Sequence, residues 1–256
     1  MKLSDKDALS RAGKSSLKMK NLAFAAGLSA LLLGAIGSGQ SFAAESEGVA
    51  LAIIYDTSGS MRDSVMDKNG HPAPKYVIAN RALMTIANQV QTFATNSASG
   101  TPRTIQAGLF IFANDSAKEV VKFGSFDATA IREWAKVFST PSGNTPLGNA
   151  LSVASRTVLN SPLSRKHVLV ITDGINTAGP QPAKVLPGLK QQAENKHSSL
   201  SVHFVAFDVD AKVFDPIKKL GATVVGAADE KQLNSQLEFI LQRKILLEDE
   251  EPPKAK

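Results

Sequence analysis

Eight consecutive residues, Gly48-Val-Ala-Leu-Ala-Ile-Ile-Tyr55, carry no charge and end abruptly at Asp56. A near-continuous apolar run bounded by polar residues is what a strand buried on both faces requires, and such strands occur in sheets with helices on either side. Val168–Thr172 and Leu200–Phe207 repeat the pattern. Between them lie segments with apolar residues at helical spacing, such as Ile78, Ala82, Leu83, Ile86 and Val90 within 76–95. Further helices are expected at 127–138, 146–159, 185–196 and 211–220. Strand signals alternating with helix signals specify an α/β domain with a largely parallel sheet. Ile105–Phe112 and Ala117–Phe123 flank the turn-like Asn114-Asp115-Ser116 and read as a hairpin. A short last strand is expected at Thr223–Val225. The final helix starts at Asp229, with Gln232 three residues on as in a capping box.

The net charge of +6 on 256 residues would suggest a nucleic-acid or membrane-surface partner, but its location argues otherwise. Residues 1–43 hold six basic and two acidic side chains, leaving +4 there and +2 on the remainder. This basic segment runs into the apolar Leu22–Ile36 and then Ser41-Phe42-Ala43. That succession reads as a secretory signal peptide over residues 1–43, cut after Ala43. The alternative is an uncleaved N-terminal anchor in the inner membrane. The chain contains no Cys, which excludes a thiolate nucleophile, a Cys-ligated zinc, an iron–sulfur cluster and lipid attachment at a Cys after the leader. The expectation is a periplasmic or secreted protein with one domain over 46–247 and an acidic, disordered tail over 248–256. Neither nucleic-acid binding nor membrane insertion after signal removal is expected, since no basic stripe remains.

The residues with chemistry sit at strand ends. The first strand runs into Asp56-Thr-Ser58-Gly-Ser60, a later one into Thr172-Asp173-Gly174, and Ser142-Gly-Asn-Thr145 precedes the helix at Pro146. Ligands in open α/β sheets bind beyond the carboxyl ends of strands where the strand order reverses. The three loops meet there if the Asp56 and Asp173 strands are neighbours. Two carboxylates and three hydroxyls form an all-oxygen set suited to a hard divalent cation. Each piece also has a plainer reading: Asp-x-Ser-Gly-Ser as an Asx-type turn, and Thr145-Pro146 as a helix cap followed by Pro at the first helical position. Asn176 and Asp208 are candidates for an outer contact to the site or for a contact to a partner, or for loop caps. The four His residues suggest core or surface roles rather than a catalytic base.

Asp56-x-Ser58-x-Ser60, Thr145 in Gly-Asn-Thr-Pro-Leu and Asp173 in Thr-Asp-Gly together resemble the metal-ion-dependent adhesion site of the von Willebrand factor type A family. The order of strands resembles that family along most of the mature chain. The resemblance implies a doubly wound, Rossmann-like, mostly parallel six-stranded sheet with helices on both faces and one antiparallel edge strand, here Ala117–Phe123. It implies that Ser58, Ser60 and Thr145 ligate Mg²⁺, with Mn²⁺ or Ca²⁺ as alternatives, while Asp56 and Asp173 act largely through bound water. A protein partner would then offer an Asp or Glu to the ion, and binding would couple to movement of the last helix, 229–247. The resemblance thus implies an adhesion or scaffold module rather than an enzyme. The competing readings are a metal-dependent envelope hydrolase and a scaffold subunit with a vestigial site.

The segment 62–75 is longer than a simple strand-to-helix connection needs. A calcium loop around Asp67-Lys-Asn-Gly fails, because Val65 and Tyr76 occupy the first and last ligand positions of that register. A surface hairpin is the better reading. Deleting Asp63–Pro72 with Ser60 kept is expected to preserve cation binding and to change partner binding; unchanged partner affinity would reject a role for the insertion in partner choice.

Overall fold

The structure, a computed structural model, describes residues 45–96 and 103–247. The expected signal peptide and acidic tail lie outside the described residues. The main sheet has six strands: β1 (Ser46–Tyr55), β4 (Ile105–Ala113), β5 (Ser116–Ser125), β6 (Leu163–Thr172), β7 (Ser201–Phe207) and β8 (Thr223–Ala227). Two short strands, β2 (Ser64–Met66) and β3 (Pro72–Pro74), pair antiparallel as a separate hairpin. This is the surface hairpin expected between the first strand and first helix. The helices are α1 (Lys75–Thr95), α2 (Ala128–Val137), α3 (Leu147–Leu159), α4 (Pro182–Asn195), α5 (Asp215–Lys218) and α6 (Glu230–Ile240). A 3₁₀ turn at Ala211–Phe214 replaces the first half of the helix expected over 211–220, and Pro216 stands just inside α5. After α6 the chain continues as a π-helical turn, Leu241–Leu246.

The order across the sheet is β5-β4-β1-β6-β7-β8, parallel except for β5 against β4. β1 pairs directly with β6, bringing Tyr55 opposite Ile171. From β1 the chain passes through α1 to β4 on one side, and from β6 through α4 to β7 on the other. The carboxyl ends of β1 and β6 therefore flank the point where the winding reverses, and Asp56 and Asp173 leave the sheet there.

Alternation along β1 decides what lies on each face. Leu51, Ile53 and Tyr55 pack with α1, α2 and α6, whereas Ala50, Ala52 and Ile54 pack with α3 and with residues of α4 and α5. The small side chains at 50 and 52 let α3 lie close to the sheet. Below the site, the Tyr55 ring meets Trp134 edge-on at 5.2 Å, and its hydroxyl donates to Asn80 Oδ1 at 2.7 Å. That fixes the residue immediately before Asp56.

The β2–β3 hairpin sets Val65 into the core and is tied to α1 and α6 by one carboxylate. Glu230, 2% exposed at the start of α6, accepts from Arg81 Nε (2.8 Å) and Nη2 (2.7 Å) of α1 and from the Lys68 backbone N–H (2.8 Å) of the hairpin. These donors hold its carboxyl below the usual range. Arg81→Ala leaves that buried carboxylate short of two donors. The expected cost is about 2 kcal/mol in denaturant unfolding, with faster hydrogen exchange at Lys68; a loss under roughly 0.5 kcal/mol, the usual range for a neutral surface change, would contradict the assignment.

Candidate functional site

The site is built where three loops are laced together by their backbones. The Asp56 N–H donates to Ile171 O at 3.0 Å, continuing the β1–β6 ladder one residue beyond the strand. Ser142 N–H donates to Thr57 O at 2.7 Å, and Gly59 N–H to Gly143 O at 3.2 Å. The third loop closes the set: Thr177 N–H donates to Thr145 O at 3.0 Å, and the Thr177 hydroxyl accepts from Thr145 N–H at 2.8 Å. Each loop is thus positioned by another rather than by its own turn alone.

The candidate side chains follow from this frame. Asp56 is fully buried, with Oδ1 accepting from Ser58 N–H (2.7 Å) and Oδ2 from the Thr172 hydroxyl (2.6 Å). A 3₁₀ turn, Gly59–Arg62, then curls the chain so that the Ser58 and Ser60 hydroxyls lie 3.1 Å apart. Gly59 does not adopt a left-handed conformation, so its freedom of φ is not what makes the curl. The Ser60 hydroxyl donates to Asp173 Oδ1 at 2.8 Å. Thr145 completes the group. A Cβ built on Gly174 would sit 3.7 Å from Thr145 Oγ1 and 3.9 Å from Ser60 Oγ, so the absence of a side chain there keeps a small space open between them. Ser58, Thr145 and Asp173 are buried, and Ser60 forms the exposed lip.

The plainer reading of Thr145-Pro146 as a helix cap does not describe the start of α3. α3 begins at Leu147, Pro146 is its cap residue, and no side chain at that position makes a capping bond. The helix start is served by Asn176, whose Oδ1 accepts from Gly148 N–H at 3.1 Å while its Nδ2 donates to Gly179 O. The Thr145 hydroxyl is therefore not engaged as the cap of α3. Of the two outer candidates, Asn176 is a cap between loops, whereas Asp208 reaches toward the site.

That contact runs through Lys75, which the sequence reading overlooked. Its ammonium lies 3.1 Å from Asp173 Oδ2 and 2.8 Å from Asp208 Oδ2, and the side chain is 6% exposed. Burial alone would pull the ammonium down, but the bonds to Asp208 and Asp173 outweigh it and hold the group above its usual range. Asp208 itself has φ +54, an uncommon conformation for a residue other than Gly, Asn or Asp. The signal was legible in principle: Lys75 precedes Ile78, Ala79 and Ala82 by three, four and seven positions, on the apolar face of α1. Thr172 and Thr177 were also missed.

A von Willebrand factor type A domain model matches residues 50–237. The chain belongs to this family. No curated protein matches the sequence. Among solved structures, the chain is similar to the PilB minor pilin from Streptococcus sanguinis, with 17% identity, a TM-score of 0.55, and 76% of this chain and 60% of that one covered. It is similar to proximal thread matrix protein 1 from the mussel byssus, whose structure has a zinc-occupied adhesion motif (16%, 0.55, 77% and 48%). The vWF domain of the type V pilus tip protein Mfa5 from Porphyromonas gingivalis is also similar (12%, 0.53, 77% and 94%). At these identities the likeness is one of fold. The matched region spans only about half to three-fifths of the pilin and byssus proteins.

Within this A-type domain, the donor set itself fits a hard cation: five oxygen-bearing side chains, with no sulfur or imidazole among them. Among the described residues no group of three or more His, Cys, Asp or Glu side chains is arranged to hold a metal ion by itself. The site therefore has two carboxylates and relies on hydroxyls for the rest. The Asp56 carboxyl is pushed from 3.8 up to about 6; burial is the main cause and the Asp173 charge adds to it, against hydrogen bonds from Ser58 and Thr172. A group whose pKa is raised by folding contributes stability at low pH and loses it as pH climbs through the folded value. Chelator-treated protein should accordingly lose up to about 3 kcal/mol between pH 4 and pH 7 relative to Asp56→Asn. Urea unfolding at several pH values measures this, and identical pH profiles for the two proteins would contradict it.

Proposed function

We propose that this domain is an exported, cation-dependent protein-binding module that captures an acidic side chain of a partner. The observation that carries the reading is the junction of Ser58, Ser60, Thr145, Asp56 and Asp173 from three mutually bonded loops at the winding reversal. Ser58, Ser60 and Thr145 would hold Mg²⁺ or Mn²⁺ through their hydroxyls, with Asp56 and Asp173 behind them. A divalent cation bound there supplies an electrophilic position for a carboxylate oxygen. The protein's own part is to keep that position favourable: only two negative charges stand near it, and the direct donors are neutral. The exposed lip at Ser60 leaves a way in. The zinc-occupied motif of the byssus protein and the pilus-tip role of Mfa5 support a reading in which such a domain serves attachment.

Catalysis has less support. His167 and His203 face each other in the core at 3.2 Å, and burial pushes them down to about 3 and about 4. His71 and His197 lie on exposed loops. Export rests on the basic and apolar leader read from residues 1–43. Among the described residues no helix is long and apolar enough to cross a membrane.

The test is titration of Mn²⁺ into the protein by calorimetry, together with cross-linked retention of envelope proteins with and without chelator. Ser58→Ala or Asp173→Ala is expected to weaken Mn²⁺ binding at least tenfold, in the range typical for disrupting a metal site, and to abolish chelator-sensitive retention. Retention that survives both substitutions and chelator would reject the proposal in favour of a scaffold with a vestigial site. Mn²⁺-dependent turnover of an envelope substrate, lost in Asp56→Ala, would favour a hydrolase.

A further inference from the structure

We propose that Lys75 is a resident counter-charge of this site, set between Asp173 and Asp208 so as to hold divalent-cation affinity down and leave a bound cation short of negative charge. This deepens the binding-module reading and rests on it. Asp173 is divided between two partners: Oδ1 accepts from the Ser60 hydroxyl at 2.8 Å, and Oδ2 faces the ammonium at 3.1 Å. The Asp173 side chain is wholly buried, so little water screens that contact, whereas Asp208 is 41% exposed at the far side of the ammonium. Asp63 Oδ2, at 4.0 Å and 72% exposed, is a weaker third neighbour.

The placement of Lys75 runs against local helix preference. It is the first residue of a 21-residue helix, at the end where the backbone dipole disfavours a cation, with no acidic residue in the first turn. What holds it there is the inserted hairpin, since Lys75 N–H donates to Asp63 O at 2.8 Å and directly follows β3. The insertion thus fixes the backbone from which the ammonium reaches the site. With that charge present, the two carboxylates near a cation act as fewer than two. Such a cation binds less tightly and draws an outside carboxylate more strongly. Asp208 takes up part of the ammonium's charge and so moderates its effect on Asp173.

Two substitutions of opposite expected sign test this, with Mn²⁺ alone as the probe and calorimetry on the whole protein as the readout. Lys75→Met removes the positive charge and is expected to tighten Mn²⁺ binding about tenfold. Acetate added to the Mn²⁺-loaded variant, followed by water relaxation, should bind more weakly than to wild type. Asp208→Asn leaves the ammonium to Asp173, with only the distant and exposed Asp63 besides, and is expected to weaken Mn²⁺ binding several-fold. A purely structural Lys75 would make Lys75→Met bind Mn²⁺ equally or less well while still unfolding cooperatively, and that result overturns the proposal. If Lys75→Met does not fold, Asp208→Asn decides: unchanged or tighter binding overturns it. Wild-type protein that binds no Mn²⁺ would instead defeat the underlying cation-site reading.

Discussion

The constraint on which the rest depends is the burial of two carboxylates side by side at the ends of β1 and β6. Asp56 has no exposure and Asp173 has 5%. Charge withdrawn from water must be compensated locally or neutralised by a proton. The protein compensates in part: Ser58 N–H and the Thr172 hydroxyl serve Asp56, while the Ser60 hydroxyl and Lys75 serve Asp173. The remainder appears as a carboxyl at Asp56 raised to about 6. A divalent cation is the ligand we propose for this arrangement of donors.

Everything around the pair serves to keep it in place. The parallel β1–β6 register sets the distance between the strand ends, and the laced loops bring Thr145 up to Gly174. Close packing makes this frame stiff. A Cβ at Gly148 would lie 1.9 Å from Pro180 O, so α3 and the loop after Asp173 are in direct backbone contact. The position of Thr145 is consequently tied to that of Asp173 through Gly148, Asn176 and Thr177. The hairpin, α1 and α6 form a second connected unit through Glu230, and Lys75 joins that unit to the site.

Much of this was legible in the sequence because hydrophobic periodicity and motif order agree. The apolar runs at Gly48–Tyr55 and Val168–Thr172 gave the central strands, and their loops gave the site candidates. The hairpin of β4 and β5 followed from the turn at Asn114-Asp115, and its edge position from the family resemblance. Where the reading failed, the deciding interaction was between segments distant in the chain. The cap of α3 comes from Asn176, 28 residues from the Gly148 N–H it accepts, so local rules assigned it to Thr145. The helix expected over 211–220 is divided because the chain tightens to a 3₁₀ turn before Pro216. Lys75 escaped notice because its partners, Asp173 and Asp208, come together only through the sheet order.

The central claim is that the three loops form one cation site, and anomalous diffraction from crystals of this protein soaked in Mn²⁺ tests it most directly. The account predicts a single strong peak about 2.1 Å from the hydroxyls of Ser58 and Ser60, with Thr145 beside it and Asp56 and Asp173 in contact directly or through water. A peak elsewhere, or none at saturating Mn²⁺ with these five side chains ordered, would contradict it.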